Sequence, residues 1–164
     1  MPMLGSDDRL QRALEIAYGY LNRRDRTQAE VRHRLARDGI EATLIEETVT
    51  VLSEQGFLDD SRFARLFTQD KRELEQWGSE RIRRTLLERG IERELVEQTL
   101  RAELGDSELE RALALLRQRF AVAPRDRRER DRALGVMLRK GYDAELALDA
   151  LAAYARDAGE SGLR

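Results

Sequence analysis

A chain of 164 residues with 38% charged and only 5% aromatic side chains has the composition of helices with solvated faces, not of a β-sandwich, and the length for one ordinary core or several small ones. It has no cysteine and a single histidine, His33, which excludes disulfides, thiolate metal sites and histidine-based metal or nucleophile chemistry. The formal net charge of -2 argues against a dedicated nucleic-acid-binding domain, for which a basic balance is expected.

The first helical pattern starts at Asp7-Asp8, read as its cap, and places Leu10, Ala13, Leu14, Ala17 and Leu21 on one side. Asn22 to Arg26 is polar and interrupts it. Thr27-Gln28-Ala29-Glu30 has the spacing of a capping box, so a second helix is expected there, with Val31 and Leu35 buried and Gly39 ending it. A third helix follows Ile40 and turns Leu44, Ile45, Thr48, Val49 and Leu52 inward. Gly56-Phe57-Leu58-Asp59-Asp60 then reads as a left-handed turn and an acidic helix start, with Asp59 or Asp60 accepting from N–H groups of that helix's own first turn. Phe63, Leu66 and Phe67 recur at helical spacing, and Phe63 and Phe67 are core residues by default. Trp77 lies in a connection, where partial exposure is expected. The next helix begins near Ser79, carries Ile82, Leu86 and Leu87, and stops at Gly90 before Ile91.

This organisation recurs. Gly39, Gly90 and Gly141 are spaced 51 residues apart, and the apolar positions keep the same offset: Val31, Ile82 and Ala133; Leu35, Leu86 and Met137; Leu44, Leu95 and Leu146; Ile45, Val96 and Ala147; Val49, Leu100 and Leu151. The expected fold is therefore all-α: three tandem three-helix repeats forming an elongated, curved array, over residues 7–55, 56–104 and 105–157, with a frayed tail at 158–164. The boundaries near Gln55-Gly56 and Leu104-Gly105 should be short turns. In the third repeat the connection from Ala121 to Arg132, with Pro124 and five arginines, reads as a longer, more basic loop.

Charge follows the repeat. Arg23 to Arg37 has six arginines against two acids, and Ile40 to Asp60 has six acids and no Lys or Arg. Arg81 to Arg93 has five arginines against two acids, and Glu94 to Glu110 six acids against one arginine. A solvated face and Arg–Glu pairing account for most single charges. With Ile82 and Leu86 inward, Arg81 and Arg84 face outward, and Arg37 holds a similar place in the first repeat. These three, with Arg125, Arg127, Arg128 and Arg130, form the candidate binding strip, suited to a protein partner of alternating potential.

Catalytic chemistry is missing. No Walker-type phosphate loop occurs, His33 lies opposite the buried stripe, and the acid pairs Asp59-Asp60 and Glu46-Glu47 are explained by capping and solvation. No catalytic residue, metal site or cofactor is expected. The start, Met1 to Asp8, lacks the basic and apolar segments of a signal peptide, and no run is long enough to cross a bilayer, so a cytoplasmic location is expected.

Gly56-Phe57-Leu58-Asp59-Asp60, Phe63-Ala64, Gly78, Arg81-Ile82, Leu86 and Gly90-Ile91 together resemble the central motif of the RecX family of bacterial recombination regulators. The resemblance implies a non-catalytic helical protein that binds the RecA recombinase; separately, a monomer is expected. Such proteins lie along the groove of the RecA filament on single-stranded DNA and lower its ATP hydrolysis and strand exchange, with consequences for recombination and the SOS response. Single- or double-stranded DNA alone would be a weak ligand. Much of the motif, including Gly56, Phe63, Ile82, Leu86 and Gly90, is assigned to turns, caps and core. Two other readings stay open: a helical single-stranded nucleic-acid binder acting without RecA, and a stand-alone adaptor with an unrelated client.

Overall fold

The computed structural model of the protein describes residues 5–103 and 107–163. Among them the chain is all-α, as expected: α1 (Ser6–Leu21), α2 (Gln28–Arg37), α3 (Ala42–Glu54), α4 (Asp60–Glu75), α5 (Ser79–Glu88), α6 (Arg93–Ala102), α7 (Glu108–Arg119), α8 (Arg127–Lys140) and α9 (Ala144–Ser161). The connection expected at Leu104-Gly105 lies outside the described residues, as do the first four residues and Arg164.

The period seen in the sequence is a period of burial. Val31, Ile82 and Ala133 are fully buried, as are Leu35, Leu86 and Met137, each at 0% exposure. Ile45, Val96 and Ala147 are buried in turn, while Leu44, Leu95 and Leu146 are all half-buried. Gly39, Gly90 and Gly141 each end the second helix of a repeat in the left-handed region, at φ 81°, 84° and 98°.

The chain forms two compact units. One takes the described residues up to Leu66 together with Leu86–Val96, and the other takes Phe67–Thr85 together with those from Glu97 onward. The first is built on Ala13, Ala17, Val31, Leu35, Val49, Leu52 and Leu58. The core of the second joins α7, α8 and α9 through Leu115, Leu116, Met137, Tyr142, Ala147 and Tyr154.

Three local expectations change. The helix α1 begins at Ser6 after Gly5, with no side-chain cap, so Asp7 and Asp8 sit inside its first turn and act on the dipole instead of capping it. The helix α8 begins at Arg127 because Asp126 caps it, accepting from the Glu129 N–H at 2.8 Å; the second half of the expected basic loop, from Arg127 to Arg132, is the first turns of a helix. The helix α9 continues through Ser161, into the stretch expected to fray. The capping box at Thr27 and Glu30 forms as expected.

Candidate functional site

Each compact unit contains one copy of the same junction, made where the second helix of one repeat meets the next repeat. In the first unit the Thr27 hydroxyl donates to the Arg89 carbonyl at 2.7 Å. In the second, 51 residues on at both ends, the Gly78 N–H donates to the Lys140 carbonyl at 2.8 Å. The following residue is held by an acid that opens the next first helix: Asp60 of α4 accepts from the Gln28 N–H at 2.9 Å, and Glu108 of α7 from the Ser79 N–H at 3.3 Å. Arg89 closes the first copy, its Nη2 2.9 Å from Oε1 of Glu30, with its guanidinium 4.5 Å from the centre of the Phe63 ring.

The two acids of the motif thus divide their work. Asp59 caps its own helix, accepting from the Arg62 N–H at 2.9 Å, whereas Asp60 serves the N-terminus of α2. Burial lifts the Asp60 carboxyl above its usual range, although the bond from Gln28 opposes the shift. A native pKa above the unfolded one makes stability fall as pH rises from about 3.8 through the native value, and level off beyond it. Asp60→Asn keeps an acceptor for Gln28 and removes the titration. Its stability relative to the wild type, from urea midpoints over a pH series, is expected to improve across that window and hold constant above it; superimposable pH profiles would refute this.

Of the arginines singled out in the sequence, Arg37, Arg84, Arg125, Arg127, Arg128 and Arg130 are exposed. Arg81 departs from the expected outward placement. It is half-buried with its guanidinium 3.9 Å from the centre of the Trp77 ring, and it donates to the Arg139 carbonyl at 3.2 Å. Trp77 is correspondingly buried, not partly exposed, with 8% accessibility. Phe67 meets it edge-on at 6.1 Å and Lys71 lies 4.7 Å from its centre. Gly78 permits the chain beyond to approach α8, since a Cβ there would lie 2.4 Å from the Gly141 carbonyl oxygen. Phe57 is exposed, with an edge-on contact to Tyr18 at 5.5 Å.

Part of the charge segregation is internal pairing. Arg32 of α2 meets Glu46 of α3 at 2.9 Å, and Arg83 of α5 meets Glu97 of α6 at 2.6 Å, the same two positions one period apart. Sequence reasoning also missed Arg72, which is buried at 3% exposure. Its guanidinium donates to the Glu103 carbonyl, to the Ser79 hydroxyl at 2.9 Å and to Glu108 at 3.2 Å. The available signal was spacing: Ala64, Thr68 and Arg72 fall four apart, and all three are buried.

Tandem three-helix repeats joined by repeated junctions, with arginines left exposed on their second helices, define an all-α repeat protein. Models of the first and second three-helix domains of RecX match residues 13–52 and 59–100. Regulatory protein RecX of Halorhodospira halophila is 33% identical over 147 residues, covering 87% of this chain and 88% of the relative. That of Deinococcus radiodurans is 32% identical, covering 86% and 68%. The chain belongs to the RecX family. It spans only 53% of the regulatory protein RecX of Listeria monocytogenes, about half that relative's length, at 28% identity. The crystal structure of RecX from Lactobacillus salivarius superposes with a TM-score of 0.78 over 91% of this chain and 98% of that one, and at 20% identity it speaks for the fold alone. No helix among the described residues is long and apolar enough to cross a membrane.

Proposed function

We propose that this chain is a non-catalytic cytoplasmic regulator that binds the RecA filament on single-stranded DNA as a monomer, without a cofactor, and restrains ATP hydrolysis and strand exchange. Membership of the RecX family, and the name regulatory protein RecX carried by its relatives, support the reading. The observation that carries the site is the start of α8. Arg127, Arg128 and Arg130 stand at the positive end of that helix, where each cation costs about 0.3–1 kcal/mol. The 3.9 Å pair of Arg127 with Asp131, with the arginine side chain 93% exposed, returns little of this. Cations kept where they weaken their own helix suit an acidic protein surface or a phosphate outside the chain.

Arg84 of α5 and Arg37 of α2, each exposed within its own unit, are assigned the same role. Arg81 acts through Trp77, as a positioning residue. Tandem repeats on one chain multiply weak contacts by effective concentration, so engagement of more than one protomer fits the reading.

The test exploits opposite signs. Arg128→Glu is expected to raise stability by roughly 0.3–1 kcal/mol in thermal or chemical unfolding, while Arg84→Glu/Arg128→Glu loses inhibition of the RecA-dependent ATPase with helicity intact. Inhibition retained by the double variant would remove the arginines from the site. A salt series with single-stranded DNA alone and with RecA filaments separates the alternative: tight, salt-sensitive binding to bare DNA would favour a nucleic-acid binder acting without RecA.

A further inference from the structure

The ion pair that links the second and third helices, open to solvent between Arg32 and Glu46 and half-buried between Arg83 and Glu97, is absent from the third repeat. Arg32 with Glu46 and Arg83 with Glu97 occupy equivalent positions, and one further period of 51 brings both members to leucine: Leu134 on α8 and Leu148 on α9. Leu148 is 55% exposed. The two leucines line a groove of about 340 Å³ whose lining also includes Ala152 and Ala155 from α9 and the charged pair of residues Arg130 and Asp131 from α8. A pair as open to solvent as Arg32 with Glu46 contributes little to stability, so its loss alone asks for no apolar replacement. Leu134 is half-buried against the core of the second unit, whereas Leu148 presents exposed apolar surface to the groove that association would cover.

The surroundings indicate what covers it. Five exposed arginines, Arg125, Arg127, Arg128, Arg130 and Arg132, stand on or just before the first turns of α8 against the three acids Asp126, Glu129 and Asp131, where the helix dipole adds to their positive potential, and Asp131 is the acid at the groove itself. An apolar floor beside a net basic helix end matches an amphipathic helix that offers a large apolar side chain between acidic neighbours. We propose that the α8–α9 groove is a docking site for the apolar face of an acidic amphipathic helix on a protein partner. It rests on the regulatory reading only in taking the occupant to be protein.

The internal repeat supplies the variant. Leu134→Arg/Leu148→Glu installs in the third repeat the pair that the other two already carry, and Leu148→Ser alone provides a second variant at an exposed position. The probe is a labelled helical peptide with leucines along one face and glutamates flanking them, titrated by fluorescence anisotropy against the full chain and each variant, with helicity followed in parallel. The wild type is expected to bind, and both variants to bind about tenfold or more weakly, as when an interface anchor is truncated. Equal affinity for wild type and variants overturns the proposal, as does equally tight binding of a peptide whose glutamates are replaced by lysines. The RecA assay runs beside it: a wild-type chain that leaves RecA unaffected defeats the RecA reading, while the peptide titration still decides the groove.

Discussion

Arg72→Met is expected to lower the unfolding free energy by about 3–5 kcal/mol, because it removes one partner of a buried ion pair and strands the other. Arg72 joins the Glu103 carbonyl, the Ser79 hydroxyl and the Glu108 carboxylate, so its loss frees α7 from the start of α5. Burial holds its guanidinium below its usual pKa, and Glu108 works against that shift. A side chain that is desolvated and also bonded to three groups stabilises through their joint satisfaction, and half of the arrangement is worse than none. Arg72→Met/Glu108→Gln should therefore recover part of the loss, and guanidinium midpoints of the two variants measure it. An additive double variant would show that the two side chains act separately.

Gly141→Ala is the second large effect. The left-handed φ of 98° costs an alanine roughly 1–2 kcal/mol wherever it occurs. Here a Cβ would also stand 2.2 Å from the Cβ of Arg81 and 2.7 Å from its backbone nitrogen. Crowding of that kind adds about 1–3 kcal/mol, and relief requires α8 to move away from α5. Gly39 is the built-in control, since its φ is 81° and nothing lies within 4 Å of its missing Cβ. Gly39→Ala is thus expected to lose only the backbone term of roughly 1–2 kcal/mol. Equal shifts in thermal midpoint for the two variants would mean that the junction yields freely.

These glycines mark how far the sequence could be read. Their 51-residue spacing was visible in the chain, and so was the stripe that buries Val31, Ile82 and Ala133. Helix ends and apolar faces depend on neighbours within one or two turns, and these are neighbours in sequence too. The contacts around each helix are less accessible. Asp60 was assigned to its own helix because Asx capping is local; its actual partner, Gln28, lies 32 residues away. Arg81 was placed outward by a helical wheel that has no knowledge of Trp77 in the preceding connection. The start of α8 was legible but misread: Asp126 to Glu129 has capping-box spacing, and the density of arginines around it suggested a loop.

The sequence alone determined the helical class, the repeat and its period, and the family to which the chain belongs, because each is written in short-range pattern. Only the tertiary structure decided which charges are committed. Arg32 and Arg83 are spent on Glu46 and Glu97, Arg72 is buried, Arg81 lies on Trp77, and Arg84 with the arginines of α8 stays exposed. The sequence lists a charge without its surroundings, and whether that charge stabilises the fold or faces a partner depends on the distance and burial of groups that meet it only when the chain has folded.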